Sequence, residues 1–380
     1  MKYIKVQKTT IQSMIDDAMR FAARQEIDEE TLMNKAIPAI VCITFAKNCL
    51  SMRAHDFMYH ISVSMKIECE EEAVLFLPAK LLQQAIAKAD DTEISIGVDE
   101  AHLVVKSACG KTSLKSLSIE PATIYDQTST HPTEMSGISF AHALGMVAFA
   151  AERKEERSSL CGVRVEFVGD NDILLVATDA YRIAKYQTSL DCSEYEQLKK
   201  NGEFTIPIKT VNNLIGVLSK ITEQVEIGLD ENHIAFRWKE GYISSTLVEG
   251  GYPNWRGVLP AEPKTTVSFA EGFQNAARAV KIMAKGTVQT CPVVTLEIKA
   301  DETLFKSESD IGKSVISLTP TFTGDDLAIT FNGDYLPDQI FGEVRIEMTA
   351  PLKPALFTSK SEPNWAYLIS PLMIGSAQGK

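Results

Sequence analysis

Internal repetition is the feature that most constrains this fold. Residues 77–86 and 206–215 share one template, in which an apolar residue is followed by Pro, any residue, Lys and a helical apolar stripe. The second segment begins 129 residues after the first (77 to 206), and the same offset separates residues 138–141 from residues 267–270. Because a fixed offset indicates one structural unit used several times, the chain is predicted to contain tandem copies of one domain.

Two helices are predicted in each copy. In the segments that contain Pro, this residue favours the first helical turn, because its missing N–H would be unpaired there anyway. Ser139 and Ser268 are placed to act as N-caps of helices that run to about Arg157 and Lys285.

Degraded copies of these helices are predicted towards both ends of the chain. Residues 6–24 resemble the Ser-capped helix, and residues 331–340 resemble the Pro-x-Lys helix, which Pro337 and Gly342 keep short. Three similar domains are therefore predicted, with these boundaries: 1–128, 129–256 and 257–380.

The segments between the helices have the pattern of strands. Apolar and polar residues alternate there, and turn residues separate the runs. The clearest runs are residues 93–98, 103–106, 225–229, 234–238 and 344–349. Linkers are predicted over residues 121–132 and 253–264. The predicted fold class is α+β, with helices on one face of antiparallel sheets.

Charge is divided unevenly along the chain. The formal net charge is −12, which by itself argues against a nucleic-acid partner. The six helical stretches, however, sum to +4, so basic residues are concentrated on the helices. This pattern fits a basic helical surface in an acidic protein, and it also fits ordinary helix surfaces with paired charges.

A cytoplasmic location is expected. The seven cysteines are odd in number and none has CxxC spacing, which fits a reducing compartment. The N-terminus does not have the form of a signal peptide, and no apolar run approaches the roughly 20 residues of a membrane span.

Motifs for catalysis, cofactors and metals are missing from the sequence. There is no phosphate-binding GxxxxGK[ST], no GxGxxG after a strand, no GxSxG and no HxxxH. Residues 173–177 are predicted to form a buried strand that turns at residues 178–180. Beside it, Asp179 and Arg182 are interpreted as an ion pair that fixes the turn, and a catalytic pair is the alternative. The chain is predicted not to be an enzyme and to need no cofactor.

Several stretches resemble the bacterial sliding clamp family, the beta subunit of DNA polymerase III. Residues 177–184 are similar to the family pattern Ala-Thr-Asp-Gly-His-Arg-Leu-Ala, and residues 251–260 to Phe-Pro-Asp-Tyr-x-x-Val-Leu-Pro. Residues 331–336 match the start of the last inner helix of the family, and residues 367–374 resemble its C-terminal segment. The matches follow the family order nearly from end to end.

The resemblance implies a head-to-tail homodimer that forms a ring around duplex DNA and tethers DNA polymerase and other replication and repair proteins, the clamp loader among them. Residues expected to face DNA are Arg24, Lys80, Lys88, Lys209, Lys220, Arg278, Lys281 and Lys285. The dimer seam is expected to pair Leu114 with Ile282 and Met283. A clamp-like scaffold that binds peptides without closing a ring is the alternative.

The resemblance also implies a cleft that binds short linear peptides of partner proteins. The residues expected to line it are Leu160, Thr178, Ala180, Tyr181, Arg182, Ile183, Pro253, Val258, Leu368, Ser370, Pro371 and Leu372. Ala180 and Tyr181 stand where the family pattern has Gly and His, so the peptide preference is expected to differ.

Overall fold

The computed structural model describes most of the chain. The described residues are 3–22, 39–56, 58–89, 91–118, 133–154, 159–190, 195–200, 202–260, 262–285, 291–337 and 342–373. The helices are α1 (Lys8–Phe21), α2 (Ala79–Ala87), α3 (Gly137–Ala148), α4 (Tyr195–Lys200), α5 (Ile208–Leu218) and α6 (Phe273–Ala284), and two 3-10 helices span Trp255–Val258 and Gly333–Tyr335. None of the helices in these ranges is long and apolar enough to cross a membrane.

Strands make up most of the remaining regular structure. The first twelve are β1 (Ile4–Gln7), β2 (Ile40–Ala46), β3 (Cys49–Asp56), β4 (Tyr59–Lys66), β5 (Ala73–Pro78), β6 (Glu93–Asp99), β7 (His102–Ser107), β8 (Gly110–Lys115), β9 (Thr133–Ser136), β10 (Gly162–Val168), β11 (Asp172–Thr178) and β12 (Arg182–Ser189). The others are β13 (Phe204–Pro207), β14 (Gln224–Leu229), β15 (His233–Trp238), β16 (Gly241–Thr246), β17 (Thr265–Phe269), β18 (Val293–Ile298), β19 (Thr303–Ser309), β20 (Gly312–Leu318), β21 (Thr321–Gly324), β22 (Leu327–Asn332), β23 (Val344–Met348), β24 (Ala355–Ser359) and β25 (Trp365–Ile369).

The chain forms two compact units. The first unit consists of residues 1–142 and 190–248, and the second consists of residues 143–189 and 249–380. In the first unit one sheet has the strand order β1-β6-β7-β8, and another has the order β5-β2-β3-β4-β16-β15-β14-β9. The antiparallel pairing of β4 with β16 makes one sheet from strands that lie in different sequence repeats.

The second unit is built in the same way. One of its sheets has the order β20-β19-β18-β22, and strands of the other follow one another as β10-β11-β12-β25-β24-β23-β17-β21. Here β12 pairs with β25, again joining two repeats, with Ile183 opposite Leu368. This pairing matters for function, because it brings the C-terminal strand beside the turn at residues 178–182.

Each unit has a core between its helices and its sheets. In the first unit, α1 buries Ile11, Ile15 and Ala18, which lie on one face because they are three or four residues apart. In the second unit, Phe273 of α6 packs against Phe269 and Phe305, with ring centroids 5.7 Å apart in both pairs. Such aromatic contacts add to the apolar area that the helix buries.

The predicted fold class is confirmed. The pairings are antiparallel throughout the described sheets, and the strands predicted over residues 93–98, 173–177 and 225–229 correspond to β6, β11 and β14. The helices after Pro78 and Pro207 also form, with each Pro at the N-cap and so one residue before the first helical turn.

Two predicted helix caps are wrong. Ser139 lies inside α3, and its backbone N–H is 3.3 Å from the Oγ of Ser136, which is the capping side chain. Ser268 lies in β17, and the N-cap of α6 is Gly272, whose φ of 85° suits glycine. In both cases the strand ends and the helix begins at a different residue from the one predicted.

The helix predicted to reach Arg157 ends earlier. After Ala148 the backbone tightens into bonds between residues three apart, such as Ala150 N–H to the Val147 carbonyl. The N–H of Glu152 then donates to the carbonyls of Leu160 and Thr178, both at 3.2 Å. Because these carbonyls lie outside the helix, the chain leaves the helical path before Glu152.

The last helix predicted from the repeat is reduced to one 3-10 turn. This turn, Gly333–Tyr335, is capped by the Asn332 side chain, which accepts a hydrogen bond from the Asp334 N–H. Pro337 follows closely and cannot donate the N–H that a continuing helix would use. The rest of the predicted segment, 338–340, lies outside the described residues.

Candidate functional site

The turn between β11 and β12 is held by its own side chains. The Thr178 hydroxyl accepts a hydrogen bond from the Ala180 N–H at 3.1 Å and donates to the Arg182 carbonyl at 2.7 Å. Asp179 Oδ1 accepts from the N–H groups of Tyr181 and Arg182 at 3.0 and 3.1 Å. The turn predicted at residues 178–180 is thus confirmed. Ala180 has a φ of 74°, a left-handed conformation that suits Gly better than Ala.

Arg182 lies in a cluster of aromatic and acidic groups. Its Nε is 2.9 Å from Asp179 Oδ2, and both side chains are largely buried. Its guanidinium lies 4.4 Å from the ring centroid of Tyr335. The Tyr367 hydroxyl donates to the Tyr335 carbonyl at 2.9 Å. These contacts support the interpretation of Asp179 and Arg182 as a structural ion pair.

Burial controls the ionisation of this cluster. Desolvation raises the pKa of Tyr367 and of Tyr335. For Arg182, burial acts to lower the pKa, but Tyr367 and Asp179 outweigh it and leave the pKa above its ordinary value. The two phenols are therefore neutral and the guanidinium is charged at neutral pH, which suits a structural role for Arg182.

An apolar floor lies on one face of the sheet next to this turn. It consists of buried side chains from β11, β12, β25 and the first 3-10 helix: Leu174, Val176, Ile183, Trp255 and Leu368. Half-buried apolar residues pack around it, namely Val168, Tyr252, Leu259 and Leu356. Ile183 is opposite both Thr178 and Leu368 in the sheet, so the floor reaches the turn.

A buried carboxylate holds the segment that contributes Trp255 to this floor. Glu166 is 3% exposed, accepts a hydrogen bond from Trp255 Nε1 at 3.0 Å and forms an ion pair with Arg256. The Arg256 guanidinium also lies 4.5 Å from the Trp255 ring. The Tyr252 hydroxyl donates to the Val176 carbonyl at 3.3 Å, and burial raises the pKa of Tyr252. Residues 252–256 are therefore fixed at both ends.

The predicted cleft residues all belong to the second unit. Leu160, Thr178, Ile183 and Leu368 are buried. Arg182, Ser370, Pro371 and Leu372 are half-buried, and Ala180, Tyr181, Pro253 and Val258 are exposed. A backbone hydrogen bond joins the turn to the C-terminal segment, because the Ser370 N–H donates to the Tyr181 carbonyl at 2.9 Å.

Sequence reasoning missed part of this surface. The predicted cleft residues did not include three residues of the floor, namely Leu174, Val176 and Trp255. They also did not include Glu166, which binds Trp255, or Tyr335, whose ring lies beside Arg182. Leu174 and Val176 carried a usable signal, since they have the spacing of residues on one face of a strand. The role of Glu166 depends on a partner 90 residues away, which no local pattern indicates.

Comparison with known proteins identifies the family. Residues 134–254 match the model of the DNA polymerase III beta subunit, central domain, and residues 256–373 match that of its C-terminal domain. The beta sliding clamp of Bacillus subtilis is 25% identical over 321 residues, covering 80% of this chain and 82% of that protein. The beta sliding clamp of Streptomyces coelicolor is 25% identical over 345 residues, covering 86% and 89%.

This chain belongs to the beta sliding clamp family.

Solved structures of the family share the fold. The DNA polymerase III beta subunit of Thermotoga maritima has a TM-score of 0.85 at 19% identity, covering 98% of this chain and 100% of that one. The sliding clamp of Bartonella birtlesii, solved bound to griselimycin, has a TM-score of 0.83 at 24% identity with the same coverage. The clamp fold predicted from the resemblance is thus confirmed.

Some of the predicted DNA-facing cations also make contacts within the protein. Lys220 Nζ lies 2.7 Å from the buried carboxylate of Asp17, so this lysine braces the contact between α1 and the end of α5 in the first unit. In the second unit, Lys281 Nζ donates to the Leu336 carbonyl at 3.0 Å, and Lys285 Nζ lies 3.9 Å from Asp334. Three of the expected DNA contacts are therefore also intramolecular contacts.

The other members of this set lie on exposed helix surface. Lys80 and Lys88 are exposed on and just after α2, Lys209 is exposed on α5, and Arg278 is exposed on α6. Arg24 lies outside the described residues. Contact of these clamp residues with DNA stays a prediction.

Of the predicted seam residues, Leu114 lies on an edge strand, and Ile282 and Met283 lie on helix α6. Leu114 is half-buried on β8, the edge strand of its sheet in the first unit, where it lines a pocket of about 390 Å³ together with Leu81. In the second unit, Ile282 is 65% exposed near the end of α6, and Met283 is half-buried beside it. Among the described residues, no group of three or more His, Cys, Asp or Glu is placed to hold a metal ion.

Proposed function

We propose that this protein is a DNA sliding clamp that is not an enzyme. Two copies form a head-to-tail ring around duplex DNA and hold DNA polymerase and other replication proteins on the template. The observation that carries this proposal is the match of residues 134–254 and 256–373, in order, to the two consecutive domains of the DNA polymerase III beta subunit. Each copy contributes three similar domains, 1–128, 129–256 and 257–380, and the ring acts in the cytoplasm.

Contact with DNA needs only weak, sequence-independent attraction. Lys80, Lys88, Lys209 and Arg278 supply exposed positive charge on helices, while the chain as a whole carries −12. Cations of this kind attract phosphates without reading bases, so they restrain DNA and still let it slide. The acidic remainder of the surface disfavours DNA binding elsewhere. Arg24, Lys220, Lys281 and Lys285 are proposed to add to this set.

The ring closes through two sheet edges that no strand of the described residues covers. Strand β8 ends one sheet of the first unit, and β20 ends one sheet of the second. Exposed apolar side chains lie beside both edges: Leu81 on α2, Ile282 on α6, Ile311 before β20 and Val315 on β20. An open edge flanked by apolar surface is a ready site for strand pairing. We propose that β8 of one copy pairs with β20 of another, with Leu114 against Ile282 and Met283.

Partner proteins, including the polymerase and the clamp loader, bind through short peptides in the cleft of the second unit. The half-buried apolar residues that border the floor, together with exposed Val258, offer contacts for large apolar side chains, and the fixed turn with Tyr181 forms the adjacent wall. Hydrophobic anchors in a preformed groove supply most of the binding energy in such complexes.

Light scattering over a dilution series tests ring formation. We expect a species of twice 41.8 kDa that persists on dilution to the micromolar range. Val315→Lys places a charge at the proposed seam and should give a 41.8 kDa monomer, whereas Lys313→Gln on the same strand should not. A wild-type monomer at every concentration would favour the alternative, a peptide-binding scaffold without ring closure.

A further inference from the structure

The apolar floor of the cleft is bordered by positive charge. In the sheet register, Val176 of the floor lies directly between Arg164 on β10 and Lys185 on β12. Residues opposite each other in antiparallel strands point to the same face, with Cβ atoms about 4.5–5.5 Å apart. Both cations are half-buried, so their apolar stems line the floor while their charged ends reach its border.

Arg256 adds a third cation on the same side. Its side chain is 53% exposed although its guanidinium binds Glu166, which is buried. A guanidinium has five N–H donors, and the bonds to Glu166 use two of them. The stacking of Arg256 against Trp255 holds the remaining donors at the edge of the floor.

Negative charge on this face is small by comparison. Among the described residues of β10, β11 and β12, the carboxylates on the face of the floor are Glu166 and Asp172. Glu166 accepts a hydrogen bond from Trp255 and forms an ion pair with Arg256. Asp172 accepts a hydrogen bond from Gln187 Nε2 at 2.9 Å. Asp172 lies at the start of β11, six residues from the turn, which is about 20 Å in a strand. The Arg256–Glu166 pair is neutral as a whole, and Glu347, which lies opposite Leu356 on the same face, pairs with Arg345. Arg164 and Lys185 on either side of Val176 therefore give the end of the floor nearer the turn an excess of positive charge, in a protein whose net charge is −12.

We infer that the cleft selects peptides with an acidic residue two positions from an apolar anchor. This inference rests on the proposed peptide-binding function and specifies the chemistry of the partner. Ile183 and Lys185 lie two residues apart on one face, about 6.6 Å along the strand. An extended peptide covers the same distance in two residues, and side chains two positions apart point to the same face. One side chain therefore packs beside Ile183 while the side chain two positions away meets Lys185 or Arg164. Repulsion by the same cations disfavours basic peptides.

Three peptides that differ at one position test this preference. Fluorescein-labelled octapeptides with a central Leu-Ala-X, where X is Glu, Gln or Lys and lies two positions from the Leu anchor, are titrated with the full-length protein and followed by anisotropy. We expect affinity to fall in the order Glu, Gln, Lys by about three- to fivefold per step, as for partly exposed ion pairs. The preference should largely disappear near 1 M salt, where the screening length is about 3 Å.

Variants locate the preference at the cleft. Lys185→Gln should reduce the ratio of Glu to Gln peptide affinity, and Lys185→Glu should favour the Lys peptide. Lys299→Gln is the matched control, because it removes one exposed positive charge in the turn after β18 of the other sheet, and it should leave the ratio unchanged. Equal binding of the three peptides to the wild type would overturn the inference while leaving peptide binding intact. Failure of all three to bind would overturn the proposed peptide function as well.

Discussion

Replacement of Asp179 by Asn isolates the ion pair beneath the cleft wall. The variant keeps an oxygen that accepts from the N–H groups of Tyr181 and Arg182, but it replaces the oxygen that lies 2.9 Å from Arg182 Nε. Because the Asp179 and Arg182 side chains are only 10% and 15% exposed, water cannot fully replace the lost partner. A hydrogen bond to a charged group contributes about 1.5–3 kcal/mol, so the free energy of unfolding should fall by about 2 kcal/mol.

Calorimetry measures this loss as a change in unfolding temperature. For a cooperative unit of 150–250 residues, 2 kcal/mol corresponds to about 4–8 °C. The matched control is Asp170→Asn, which removes the same charge from an exposed position in the turn before β11. The control should unfold within about 2 °C of the wild type, since exposed substitutions change stability by less than about 0.5 kcal/mol. An unfolding temperature of Asp179→Asn equal to that of the wild type would refute the structural role given to this pair.

Three further substitutions have effects whose direction follows from the structure. Ala180→Gly should raise the free energy of unfolding by about 0.5–1 kcal/mol, because it removes a left-handed strain of roughly 1–2 kcal/mol and adds some chain entropy to the unfolded state. When it is combined with Tyr181→His, the order of peptide affinities in anisotropy titrations should change, and an unchanged order would contradict a role for this wall in selection. Lys220→Ala should destabilise the protein by about 1–3 kcal/mol at neutral pH, because it removes the nearer of the two cations that pair with the buried Asp17 carboxylate, the other being Arg20. Burial raises the pKa of Asp17, and Lys220 opposes this, so the thermal destabilisation should shrink in acidic buffer as Asp17 gains a proton; an equal loss at both pH values would count against this reasoning. Burial, followed by Asp56, raises the pKa of Tyr59 to about 12. The unfolded state loses this proton near pH 10, so stability should decline between about pH 10 and 12, and the decline measured by denaturant titration should be shallower in Tyr59→Phe.

The sequence repeats made the general fold predictable. They did not predict where individual helices begin and end. Strands such as β6 and β14 follow from alternation because each buries one face of a sheet. The end of α3 depends on the carbonyls of Leu160 and Thr178, which capture the Glu152 N–H from distant parts of the sequence. Helix α6 begins after Gly272, whose backbone is left-handed, and not after Ser268, which the sequence pattern had indicated as the N-cap.

The candidate site was predictable in part for the same reason. The turn at residues 178–182 is local, so Thr178 and Asp179 could be assigned from short-range hydrogen-bonding patterns. The positive border of the floor could not, because Arg164 and Lys185 meet at Val176 only through the register of three strands. Lys220 shows the converse, since its helical position suggested a DNA contact while the fold pairs it with Asp17.

Retention on circular and linear DNA tests the central claim most directly. The protein is placed on a singly nicked plasmid by the clamp loader of its source organism with ATP, purified from free protein, and cut with a restriction enzyme at one site. A ring that holds DNA by topology should stay on the circle in salt that screens ionic contacts and leave once the DNA is linear. Equal retention on both forms, or loss from both in the same salt, would contradict the proposed sliding clamp.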